Sequence, residues 1–228
     1  MMIMRLLLAG VLFVGGGLVL WPQWLLAGAA TARSQALDPL LSQAAIGALK
    51  SNPLAGRIIF EEIALALTAN ALSASKAGQF RLAAEQATRA RNIFHMAIAR
   101  APIAPGAWAA LALANLQLAG VTPTTIAALG RSYATGPRQG WLAPRRVKLA
   151  LLTWRLLAPG IRAAAIRDIA QMSTTIAGAG DLAKIYLELR PVALRAPLLS
   201  ALITTDKINQ RRFLGAVRER SAAGVLTF

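Results

Sequence analysis

The chain contains no cysteine, one histidine, and nine Asp and Glu against twenty-five Lys and Arg. Without cysteine there are no disulfides, no thiolate zinc sites and no cysteine nucleophile, and the redox compartment stays open. The single His95 sits in a helical run beside Phe94 and Met96 and has no second histidine with which to build a metal site. Glu61 and Glu62 are adjacent on a helix, so their carboxylates point about 100° apart and cannot share a proton or a metal. No nucleophile elbow, phosphate-binding glycine loop or paired-histidine zinc motif is present. These absences predict a protein that is not an enzyme, with no cofactor, no metal and no catalytic residues.

Alternating apolar and polar runs rich in β-branched residues are also missing, so the expected fold is all-α. A net charge of +16 joined to 56% hydrophobic residues describes a chain both apolar and basic, with room for a sizeable core. Arg outnumbers Lys twenty to five, as a GC-rich genome would produce. That bias explains the choice of Arg but not the scarcity of acids, which points to a membrane or an anionic neighbour.

Residues 1–32 open with Arg5 and then carry no charge from Leu6 to Ala32. A helix from Ile3 to Trp21 spans about 28 Å, close to the ~30 Å hydrocarbon core. Trp21 and Trp24 then reach the far headgroups, where Pro22 ends the helix. The segment is expected to be a transmembrane anchor; the alternative is a signal peptide cleaved after Ala30-Thr31-Ala32, although the apolar run exceeds the usual h-region. Either way Arg5 stays cytoplasmic, which in a bacterium makes this a single-pass inner-membrane protein with residues 33–228 in the periplasm.

The exported part reads as successive helices. Asp38-Pro39 and Asn52-Pro53 each place a side-chain acceptor at N-cap and proline at N1. One helix is predicted from Pro53 to about Lys76, with Ile59, Ile63, Ala66 and Leu67 on its apolar face, and a second from Phe80 to about Arg100. Asp181 is expected to cap a helix over Leu182–Arg190, and a last helix spans about Lys207–Arg220. The best amphipathic helix covers 145–157, with Val147, Ala150, Leu151, Trp154 and Leu157 as its apolar stripe.

Trp108 and Trp141 lie 33 residues apart in similar Pro/Gly contexts, and Pro102 and Pro137 lie 35 apart. Trp108-x2-Leu111-Ala112 resembles the opening of a tetratricopeptide (TPR) first helix, with Ala where Gly is usual and Asn115 where an aromatic is expected. Gly78-Gln79-Phe80-Arg81-Leu82-Ala83 resembles the turn into the second helix. The resemblance is degenerate, covers residues 38–158 and leaves C-terminal helices over 159–228. It implies stacked helical hairpins, a TPR-like α-solenoid whose concave face binds partners. An irregular helical bundle would use the same amphipathic helices without a period. Together with the anchor, RRVKLAL and RAAAIRDI resemble segments of membrane proteins that accompany bacterial exopolysaccharide biosynthesis and export.

From Arg131 to Arg167 eight Lys or Arg precede the first acid, Asp168. Arg138, Trp141, Arg145, Arg146, Lys148 and Arg155 are the candidate contact residues. They either flank a core helix as a solvated face, steer an acidic protein partner, or grip an acidic polysaccharide or anionic lipid directly. Nucleic acid is disfavoured, because an exported domain seldom meets it and no recognised module is present. The expectation is a membrane-tethered scaffold that docks protein partners of an envelope assembly, with polyanion binding through 131–167 as the alternative.

Overall fold

The computed structural model of the protein describes residues 56–190 and 192–223, with side chains from Ala64 onward. The apolar run 1–32 and the starts at Asp38-Pro39 and Asn52-Pro53 lie outside the described residues. Among the described residues the chain is all-helical, without strands, and no helix is long and apolar enough to cross a membrane. Residues up to Pro102 and residues from Ile103 form two separately packed units.

In the first unit, α1 (Gly56–Lys76) and α2 (Phe80–Arg100) fold back on each other as a hairpin. Ala64, Leu67, Ala71 and Ala74 recur at helical spacing and are buried, as are Ala87, Ala90, Phe94 and Ala97 on α2. Of the predicted α1 stripe Leu67 is buried and Ala66 half-buried; the side chains of Ile59 and Ile63 are not among those described. The turn sits where the Gly78-Gln79 signal put it. Gly78 takes φ +75°, and Gln79 N–H bonds back to Ala74 O at 2.8 Å, closing the end of α1.

The second unit contains α3 (Pro105–Ala119), α4 (Pro123–Thr135), α5 (Ala143–Thr153), α6 (Pro159–Ser173), α7 (Ile176–Glu188), α8 (Ala196–Ile203) and α9 (Lys207–Ala222). Proline stands in the first turn of α3, α4, α5, α6 and α8, where a missing N–H costs nothing. Thr122, Thr175 and Asp206 accept from the N–H three residues on and cap α4, α7 and α9. Helices pair mainly as α3 with α4, α5 with α6, and α7 with α9; α8 packs on α6. One core joins α5 through α9: Val147, Leu151, Ile169, Leu182, Leu198 and Phe213 are all in it.

Three sequence expectations change. The helix over 145–157 ends at Thr153, and Trp154–Leu156 continues it as a 3-10 turn. Its stripe holds, with Val147, Ala150, Leu151 and Leu157 buried and Trp154 half-buried. Asp181 is no cap: it lies inside α7, which starts one and a half turns earlier on Thr175. Trp108 and Trp141 are not equivalent, since Trp108 is inside α3 whereas Trp141 sits exposed in the 3-10 turn Gly140–Leu142.

The early start of α7 has a steric reason. A Cβ at Gly178 would lie 2.2 Å from Met172 O, so only glycine lets the first turn of α7 press onto the end of α6. Gly178→Ala is expected to cost about 1–3 kcal/mol, read as a lower denaturation midpoint at unchanged slope. Gly160→Ala, with nothing within 4 Å of the added carbon, provides the contrast.

Candidate functional site

The structure does not bring the six predicted contact residues together on one face. Arg138 is exposed in the loop after α4, and Trp141 is exposed with its Nε1–H donating to Gln139 Oε1 at 2.9 Å. Arg145 is half-buried and has interactions of its own. Lys148 pairs with Glu188 across to α7 at 2.6 Å, the two side chains being about 40% exposed. Arg155 is exposed, with no ion-pair partner among the described residues.

Arg146 departs furthest from a surface role, because its side chain is fully buried. On α5 the buried residues Ala143, Arg146, Val147, Ala150 and Leu151 follow the i, i+3, i+4, i+7, i+8 pattern, so Arg146 belongs to the apolar stripe itself. Nη1 donates to Gly136 O at 2.6 Å and Nη2 to Gln139 O at 3.4 Å. Nη2 also meets Asp168 of α6, at 3.4 Å from Oδ1 and 3.2 Å from Oδ2, and the guanidinium lies 4.6 Å from the Tyr133 ring centre. One side chain thus joins α4, the following loop, α5 and α6. Arg146 Nε has no hydrogen-bond partner among the described residues, and Asp168 Oδ2 is held by the ion pair with Arg146 Nη2. Burial pushes the Asp168 carboxyl above its ordinary range, opposed by the adjacent Arg146 charge. Burial also raises Tyr133, reinforced by the Asp168 charge, so that its ring stays a neutral phenol.

Two other arginines repeat the arrangement. Arg162 donates to Trp154 O and Arg155 O at 3.1 and 3.0 Å and lies 6.0 Å from the Trp154 ring. Arg195 donates to Leu189 O at 3.2 Å and to Leu187 O at 3.5 Å, and lies 4.7 Å from the Tyr186 ring. Each guanidinium donates to carbonyls at or just past the end of a helix, where the dipole is negative, and lies near an aromatic close to that end; Gln139 O and Trp154 O also accept from the Leu142 and Leu157 N–H. A count of charge along the chain does not reveal this use of arginine; its signal is an aromatic near a helix end followed by an arginine near the next helical start.

The second unit also carries a largely apolar concavity. A groove of about 410 Å³ runs between α6, the turn at Trp154 and α8, lined by Trp154, Ile166, Ala196, Pro197, Ser200 and Thr204 among others. Exposed Leu156 lies two residues from the lining position Trp154 and exposed Val192 lies next to Ala193, so apolar side chains continue beyond the groove in sequence. Ser200 and Thr204 add hydroxyls along one side of α8. Among the described residues no three His, Asp or Glu gather as metal ligands, and His95 is exposed on α2. Comparison with protein-family models, curated proteins and solved structures gives no match.

Proposed function

We propose that this chain is a non-enzymatic scaffold, tethered in a bacterial inner membrane by its first thirty-two residues, whose periplasmic helical hairpins stack as a TPR-like solenoid and dock protein partners of an envelope assembly. Exopolysaccharide synthesis or export is the assembly the sequence resemblance names. The groove between α6 and α8 carries the proposal: it is concave, mostly apolar, and walled by elements packed on the main core. Its occupant is an amphipathic helix with acidic flanks. From Ile103 onward sixteen Lys and Arg stand against five Asp and Glu, and the unpaired Arg155 neighbours Trp154, so an acidic flank meets complementary charge. Polyanion binding through Arg145, Arg146 and Lys148 has less support, because Arg146 is buried and Lys148 is paired with Glu188.

The test uses the full chain in its own host's membranes. A photoreactive side chain at Ser200 is expected to cross-link to a protein segment that is apolar on one face and acidic beside it. Ala196→Trp, which fills the groove, is expected to abolish the product while leaving the circular dichroism spectrum unchanged. Cross-linking that survives Ala196→Trp, or that yields only lipid or polysaccharide, contradicts docking here.

A further inference from the structure

We infer that the outer face of α9 rests on an anionic bilayer surface. The inference concerns a different face from the groove and does not depend on what the groove binds. At 100° per residue Lys207, Arg211 and Arg218 fall within about 40° of one another on α9. All three are exposed and none has an ion-pair partner among the described residues. Ile208 and Leu214 flank that line on its two sides and are 60% and 50% exposed.

The neighbouring chain ends widen the patch with the same chemistry. Arg212 Nη1 donates to Thr174 O at 2.9 Å, which holds the α6–α7 turn beside α9; Ile176, two residues on, is 83% exposed. Gln210 Nε2 donates to Ile203 O at 3.2 Å and Thr205 O at 2.8 Å on the other side, and Ile203 is 75% exposed. Four large apolar side chains thus surround a line of three cations. The nearby acids are Asp206, whose carboxylate is occupied by the Asn209 N–H and amide, and Glu219, exposed towards the Arg212 side.

Cations alone would suit any polyanion. Exposed isoleucines beside them suit a bilayer, because apolar side chains gain by entering the acyl boundary while Lys and Arg stay among the phosphates. A soluble acidic polysaccharide offers no apolar layer for Ile176, Ile203, Ile208 and Leu214. The anionic leaflet is therefore the surface that matches both halves of the patch.

The chain's lack of cysteine makes the test specific. Full-length protein bearing an environment-sensitive dye at Ile208→Cys is placed in phosphatidylcholine vesicles, with or without phosphatidylglycerol and with nitroxide-labelled lipid as quencher. The same dye at Ala127→Cys, exposed on α4, serves as reference. Quenching at position 208 is expected to exceed that at position 127, to require phosphatidylglycerol, and to fall as salt is added. Each cation near an anionic surface is worth roughly fivefold in partition, so combined Lys207→Gln, Arg211→Gln and Arg218→Gln lower the docked-to-undocked ratio roughly a hundredfold. Equal quenching with and without phosphatidylglycerol, equal quenching at 208 and 127, or no effect of the triple substitution overturns the inference. So does a triple variant that loses only binding to a soluble acidic polysaccharide.

Discussion

Arg146→Ala is expected to lower the unfolding free energy by about 3–5 kcal/mol, far more than an ordinary surface arginine would. The substitution leaves the buried Asp168 without its ion-pair partner and Gly136 O without its side-chain donor, while Gln139 O keeps the Leu142 N–H. Arg146→Lys is expected to recover only part of the loss, because an ammonium cannot reach two carbonyls and a carboxylate while also lying over the Tyr133 ring. Joining Arg146→Met to Asp168→Leu removes both charges together and is expected to restore most of the stability. Urea titrations of the wild type, Arg146→Met, Asp168→Leu and the double variant close a double-mutant cycle on the pair. A loss below about 0.5 kcal/mol for Arg146→Ala would mark the side chain as a surface residue.

Phe213→Ala is the second large effect, again about 3–5 kcal/mol. The last helix is basic, and Asn209 and Phe213 are its buried residues. Phe213 meets the Tyr186 ring edge-on, centroids 5.7 Å apart at 89°, within the core shared by α5, α6, α7 and α8. Truncation opens a cavity and frees the helix that presents Lys207, Arg211 and Arg218. Amide exchange in α9 is expected to accelerate ahead of that in α5 and α6, whereas a uniform change along the chain would contradict this anchoring role.

The helical elements were legible where capping chemistry and periodicity agreed. Phe80–Arg100 has the predicted bounds, because Gly78 punctuates its start and Pro102 follows its end. The α9 start matched too, because Asp206 is a good N-cap. Both α4 and α8 went unanticipated: Thr122-Pro123 is the same kind of start as Asn52-Pro53, and α8 has eight residues, too few for a periodicity to show. The start of α7 lies ahead of the Asp181 cap for a tertiary reason that a local signal does not carry: Met172 O lies against Gly178.

The site was less legible than the fold. A tally of charge along the chain treats each arginine as solvated, yet the stripe through Val147 and Ala150 extends back onto Arg146 and Ala143. Pairing across helices is also invisible to a local count. Lys148 finds Glu188 forty residues away, and Asp168, which ends the basic run, neutralises the arginine at the run's centre. Of the eight cations over 131–167, Arg146 and Arg162 face helix ends and Lys148 is paired with Glu188.

Reaction of the native full-length chain with phenylglyoxal, followed by peptide mass spectrometry, tests the central claim most directly, since the reagent modifies arginines it can reach. Arg146 is predicted to stay unmodified while Arg138, Arg155 and Arg211 react, and to react as they do once the chain is unfolded in urea. Modification of Arg146 in the native protein at the rate of Arg138 would contradict the account.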